Sequence, residues 1–224
     1  PEEGGEGVTP VTPTVTMADC GFLMEVDEMF DEAYKFETTK AVPFMFKDEL
    51  PDATILAAVQ AKVQGIEDKI YAGNFTGAYA DLDINSLVDQ WLVWELTMNH
   101  EYIDPRSINM FINGNGKLCA GPVWDFDRAT FQNVSNATTM GNSGDRVKPY
   151  SKWIVWSASG SNDCVWYPKL IDDPIFQQTV VARWNNMYPY LLSVVTKIRD
   201  YGILLKDSYE VNNEMWPTDK TTVD

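Results

Sequence analysis

Between residues 52 and 71 the apolar positions Ile55, Val59, Val63, Ile66 and Ile70 recur at steps of three and four. That spacing gathers them into one stripe and predicts an amphipathic helix, closed near Gly73. The segment "DINSLVDQWLVWELTMNH", residues 83–100, predicts a second helix with Asp83 as its cap. Leu87, Trp91, Trp94, Leu96 and Met98 make most of its circumference apolar, which puts it at the centre of a fold. "GFLMEVDEMF", residues 21–30, alternates at period two through Leu23, Glu25 and Asp27, as a half-buried strand does. "AVPFMFKDEL", residues 41–50, is a second extended segment, closed by Pro51. In "SINMFINGNGKLCAGPVWDFD", residues 107–127, two extended runs flank Asn113, Gly114, Asn115 and Gly116, the signature of a hairpin. Its second arm ends at Asp125 and Asp127. Asp173 caps a further helix beginning at Pro174, and another is predicted from about Pro189 to Lys206.

The polar stretches divide the chain. Residues 1–19 mix Gly, Pro, Thr and Glu without periodic apolar positions and read as a linker or disordered segment, residues 20–217 as one domain, and residues 218–224 as a tail. Residues 132–163, rich in Asn, Ser, Thr and Gly, read as a long loop carrying Trp153 and Trp156, which are candidates for outside contacts. Trp91, Trp94, Trp184 and Trp216 are assigned to the core, and His100 to a structural place at a helix end.

With 224 residues, 45% of them hydrophobic, the chain is long enough to bury a sizeable core. A formal net charge of -16 and the lack of Lys and Arg clusters disfavour nucleic acid as a partner. Three scattered cysteines build neither a disulfide framework nor a zinc site. No apolar run of the required length, about 18 residues, predicts a transmembrane segment.

The candidate chemistry lies around the hairpin. Glu101 and Asp104 precede its first arm, and Asp125 and Asp127 end its second, among Trp124, Phe126 and Phe131. An antiparallel pairing brings the start of one arm beside the end of the other, so all four acids are expected in one cleft. Carboxylate oxygens with the amide of Asn109 form a hard donor set, suited to Mg²⁺ or Mn²⁺ and through it to nucleotide phosphates. The bland alternative is that Asp125 or Asp127 caps a turn or pairs with Arg128 or Arg106. "DPRSIN" places Asp104 and Asn109 at the Asp-x-x-x-x-Asn spacing of kinase catalytic loops, with the later Asp in the place of the metal-binding one.

Taken together, "GFLMEVDEMFDEAYKFETT", "DINSLVDQWLVWELTMN", "GKLCAGPVWDFDRATF" and "WYPKLIDDPIFQQTVVARWNNMYP" resemble the CotH family, named for spore-coat protein H and regarded as atypical protein-kinase-like enzymes. The resemblance implies an α+β, protein-kinase-like C-lobe, mainly helical with a β-hairpin at the active site, whose N-lobe lies largely outside this chain. It implies a kinase transferring phosphate from Mg-ATP to a protein hydroxyl: Asp104 or Glu101 would be catalytic, and Asp125, Asp127 and Asn109 would hold the cation and ATP. Anchored on the hairpin and "GPVWDFD", the family's catalytic aspartate falls closer to Glu101 and its metal-binding amide closer to Ser107, so both registers stay open. A catalytically inactive surface scaffold binding a cation, peptide or glycan is the alternative. The family also implies export, often as a lipid-anchored protein of the bacterial surface.

Overall fold

The structure is a computed structural model that describes residues 15–16, 21–48, 53–99, 101–103, 105–126, 130, 155, 160 and 162–217. It is of the α+β class and comprises two compact units, residues 1–180 and 181–224. The first holds a five-stranded antiparallel sheet in the order β2-β3-β1-β4-β5. Its strands are β1 (Leu23–Val26), β2 (Lys35–Glu37), β3 (Pro43–Phe46), β4 (Ile108–Ile112) and β5 (Leu118–Ala120). The expected hairpin is therefore present, but as the edge of a larger sheet built with the two segments predicted as extended near the N-terminus.

Period-two alternation gives this sheet two unlike faces. Met24 and Val26 on β1 and Ile108, Met110 and Ile112 on β4 enter the core with Phe44 and Phe46. The opposite face carries Glu25, aligned with Asn109 across β1 and β4. Just past β3, the Lys47 ammonium sits between the Glu25 and Glu32 carboxylates at 2.9 and 2.8 Å. Hydrogen bonds to these two glutamates push its pKa up.

Helix α1 (Ala53–Tyr71) buries the predicted stripe through Val59, Val63, Ile66 and Ile70, and Gly73, at φ 73°, ends the run. Glu67 shares the buried side of α1 at 1% exposure. Its Oε1 accepts from the Thr39 hydroxyl at 2.9 Å and the Lys40 N–H at 3.1 Å, and its Oε2 from the Trp166 indole N–H at 3.0 Å. Helix α3 (Ile84–Thr97) follows the short α2 (Phe75–Tyr79), and the Asp83 carboxylate caps it by accepting the Ser86 N–H at 3.0 Å. Trp91 and Trp94 are buried as expected, whereas Leu96 is exposed. Residues 81–83 bond to Leu118 in both directions, which docks the start of α3 on β5.

Asp81 at this junction lies between Lys62 at 2.8 Å and Lys69 at 2.6 Å, and hydrogen bonds from these ammoniums hold its carboxyl below its usual pKa. A lowered folded pKa adds stability above the unfolded value of about 3.9, and that stability is lost as pH falls through the folded value. The carboxylate is one-third exposed, so solvent screening reduces the expected contribution to about 0.5–1 kcal/mol. Urea midpoints should place Asp81→Asn below the parent at pH 7, and the gap should close as the pH falls below 4.

After the short α4 (Tyr167–Leu170), Asp173 caps α5 as predicted: its Oδ2 accepts the Phe176 N–H at 3.0 Å and the Tyr79 hydroxyl at 2.6 Å. The two helices expected after Pro174 are instead one, α5 (Pro174–Met215), with Pro189 inside it. Proline at an interior position loses one backbone bond and costs about 3 kcal/mol, yet here it does not end the helix. Trp184 and Trp216, assigned to the core from sequence, are exposed at 37% and 68%. Cys119 and Cys164 are buried thiols. No helix among the described residues is long and apolar enough to cross a membrane.

Candidate functional site

Helix α3 ends at Met98, whose left-handed backbone (φ 53°) turns the chain into the loop before β4. Buried Asn99 holds the first bend, its Oδ1 accepting the Glu101 N–H at 2.9 Å. Its Nδ2 donates to the Thr130 hydroxyl at 3.3 Å, tying this loop to a point three residues beyond Asp127. Tyr102 stacks on Trp94 with ring centroids 4.7 Å apart and donates its hydroxyl to Glu95. Burial, reinforced by the Glu95 charge, pushes the Tyr102 phenol pKa well up. Ile103 is also buried and its carbonyl accepts the Cys164 N–H at 3.1 Å, so Glu101 stands half-buried on a segment anchored at both sides.

The rest of the loop is pinned by the turn after β1. The Asp27 carboxylate accepts the Ser107 N–H at 3.0 Å through one oxygen and the Met29 N–H at 2.8 Å through the other. Glu28 donates its N–H to the Pro105 carbonyl at 2.9 Å, and its carboxylate pairs with Arg106. These bonds hold Ser107 at φ 52°, a conformation that costs a non-glycine residue about 1 kcal/mol or more. Asp27 was read from sequence only as one polar position of an alternating strand. The signal that identifies it is local: an aspartate two residues before the amide it accepts, the pattern of an Asx turn.

Arg106 is thus engaged by Glu28. Asn109 lies on the sheet face opposite the core at 7% exposure. Its Nδ2 donates to the Pro122 carbonyl at 3.3 Å, and its backbone carbonyl accepts the Gly121 N–H at 2.8 Å and the Gln90 amide at 3.3 Å. The second arm is therefore fastened to the first three residues before Asp125. Such a bond leaves the amide oxygen Oδ1, the atom able to ligate a cation, as the chemically relevant end of Asn109.

Asp125 is exposed and takes φ 59°, between exposed Trp124 and half-buried Phe126, which packs on the core. The expectation that Asp125 is embedded among aromatic rings is corrected accordingly: its side chain lies at the surface. Asp104, Asp127, His100, Arg128, Trp153 and Trp156 lie outside the described residues. Among the described residues no group of three or more His, Cys, Asp or Glu side chains is placed to hold a metal ion.

The segment after β5 is therefore joined to the loop after α3 through Asn99 and Thr130 and to β4 through Asn109 and Pro122; in sequence Asp125 and Asp127 fall between Pro122 and Thr130. Among the described residues there, the Asp125 carboxylate and the Asn109 amide oxygen are donors of the kind that suits a hard divalent cation. A family model described as CotH kinase protein matches residues 20–223. Neither a curated protein nor a solved structure matches the chain.

Proposed function

The chain belongs to the CotH family, and on that membership we propose that it transfers the γ-phosphoryl group of ATP to a protein hydroxyl. The observation that supports this reading is that the segment carrying Asp125 and Asp127 is tied both to the loop carrying Glu101 and Asp104, through Asn99 and Thr130, and to β4, through Asn109 and Pro122. In the reaction the acceptor oxygen forms a bond to the γ-phosphorus, the bond from that phosphorus to the bridging oxygen breaks, and ADP leaves. Asp104 accepts the acceptor's hydroxyl proton and orients its oxygen. We assign this role to Asp104 because it adjoins the Pro105–Ser107 stretch fixed by Asp27 and Glu28 and stands five residues before Asn109. Asp125, Asp127 and Asn109 would hold Mg²⁺ or Mn²⁺, which supplies charge neutralisation at the phosphates. The protein's own contribution is positioning, the larger part of catalysis where little covalent chemistry is required.

A second reading, a scaffold that binds a cation, peptide or glycan without turnover, draws on exposed Trp124 beside Asp125. On either reading the protein would work outside the cytoplasm, at a bacterial cell surface or in the periplasm.

Incubation with γ-labelled ATP, Mg²⁺ and casein as a hydroxyl-bearing acceptor distinguishes the two. Label should enter protein, and Asp127→Ala should abolish its transfer. Absence of transfer by the parent, with a melting temperature raised by Mg²⁺ alone, would establish the scaffold instead.

A further inference from the structure

Gln90 lies on the central helix α3 at 3% exposure, beside buried Leu87, Val88, Trp91 and Trp94. A buried primary amide is costly without hydrogen-bond partners, and a methionine of similar length would fill the same space without that cost. What the amide adds is directional bonding. Its Nε2 donates to the backbone carbonyl of Asn109 on β4 at 3.3 Å, and its Oε1 accepts the Tyr167 hydroxyl at 3.4 Å, a donor shared with the Leu87 carbonyl at 3.0 Å. The orientation of the amide follows from chemistry, since a backbone carbonyl only accepts and the phenol, kept protonated by burial, donates. One turn earlier on the same helix face, the Ser86 hydroxyl accepts the Ala120 N–H at 3.0 Å. Helix α3 thus holds both strands of the hairpin where their pairing ends, β5 through Ser86 and β4 through Gln90.

The carbonyl that Gln90 grips belongs to the residue whose side chain is a candidate cation donor. Three bonds meet at Asn109: its carbonyl accepts from Gln90 and from the Gly121 N–H at 2.8 Å, and its Nδ2 donates to the Pro122 carbonyl at 3.3 Å. A carbonyl oxygen has two lone pairs, so without the Gln90 bond Asn109 still pairs with Gly121 and the fold loses little. Its backbone is then free to shift relative to α3, and the Asn109 amide shifts with it. Outer groups that orient a metal ligand change metal affinity by about 10- to 100-fold when they are removed.

We propose that Gln90 is a positioning residue for a divalent cation, fixing the Asn109 amide from the core side through the Asn109 carbonyl. The inference rests on the reading that Asn109 and Asp125 hold the cation, and it is independent of whether phosphate is transferred.

Calorimetric titration of the full chain with Mn²⁺ alone, counting only the binding that Asp125→Ala removes, tests the two ideas separately. The parent should show such binding, and Gln90→Met should weaken it about tenfold or more while melting within a few degrees of the parent. Val63→Ala, which opens a cavity at a buried position of α1, should lower the melting temperature further and leave the Mn²⁺ affinity unchanged. Tyr167→Phe removes the bond at the far end of the Gln90 amide and should give a smaller loss of affinity in the same direction. Affinity close to that of the parent in folded Gln90→Met overturns the positioning role and leaves the cation reading standing, as does an equal loss in Val63→Ala. Where Gln90→Met does not fold, parent-like affinity in Tyr167→Phe overturns it in the same way. Absence of Asp125-dependent binding by the parent overturns the cation reading and this inference with it.

Discussion

Glu67→Ala will lower the unfolding free energy by about 3–5 kcal/mol, the range for removing one partner from a buried hydrogen-bonded charged group. Truncation strands three donors from two parts of the fold: the Thr39 hydroxyl and Lys40 N–H in the β2–β3 turn, and the Trp166 indole before α4. Trp166 is itself 1% exposed and its ring centre lies 6.0 Å from that of Phe44, so its N–H has no route to water without unpacking the sheet face. Thermal unfolding followed by near-ultraviolet circular dichroism should show a midpoint drop on the order of 10 °C. Glu67→Gln retains an acceptor oxygen and should lose less than half as much. If Glu67→Ala melts within about 1 °C of the parent, the carboxylate does not join these elements.

Glu67 also illustrates what the sequence conceals. It lies one residue from Ile66, within a stripe read by its apolar members, and a glutamate there looks like the polar border of an amphipathic helix. Its partners are 28 and 99 residues away, and no local pattern announces them. Where the determinants are local, the reading holds: the caps of Asp83 and Asp173, the stripe of α1 and the Asn-Gly turn between β4 and β5 all depend on residues within a few positions of one another. Elements of three to five residues, β2, α2 and α4, are too short to display a period and were missed. The boundary placed at Pro189 failed because proline marks a helix start as readily as an interior kink, and only packing decides between them.

The candidate site shows the same division. Antiparallel pairing alone predicted that the arms of the hairpin would bring the two acidic segments together, and the Asn109–Pro122 contact follows from that register. The long-range bonds of Asp27 and Glu28 were not legible, since they join a turn after β1 to a loop after α3 that lies about 80 residues away. The loop before β4 is held in a left-handed backbone at Ser107 that it would not keep unaided, and in sequence that bend falls between Asp104 and Asn109.

On the proposed kinase reading, the choice between Asp104 and Glu101 sets the largest expected kinetic effect. With phosphoryl transfer from Mg-ATP as the assay, Asp104→Asn should lower kcat by roughly 100- to 10,000-fold, the usual contribution of a positioned general base. KM for ATP should change little, because the substitution removes an interaction with the acceptor hydroxyl rather than with the nucleotide. Glu101→Gln should stay within a few-fold of the parent: its backbone is fixed through Asn99, and an amide of nearly the same shape preserves its packing. The two substitutions have opposite expectations in the two registers. A collapse of kcat in Glu101→Gln with Asp104→Asn near the parent would transfer the role to Glu101 and, with it, the amide position from Asn109 to Ser107. A serine hydroxyl is the weaker cation ligand, so that register also requires Asn109→Ala to leave the Mg²⁺ dependence unchanged, whereas the Asp104 register requires it to shift toward higher Mg²⁺.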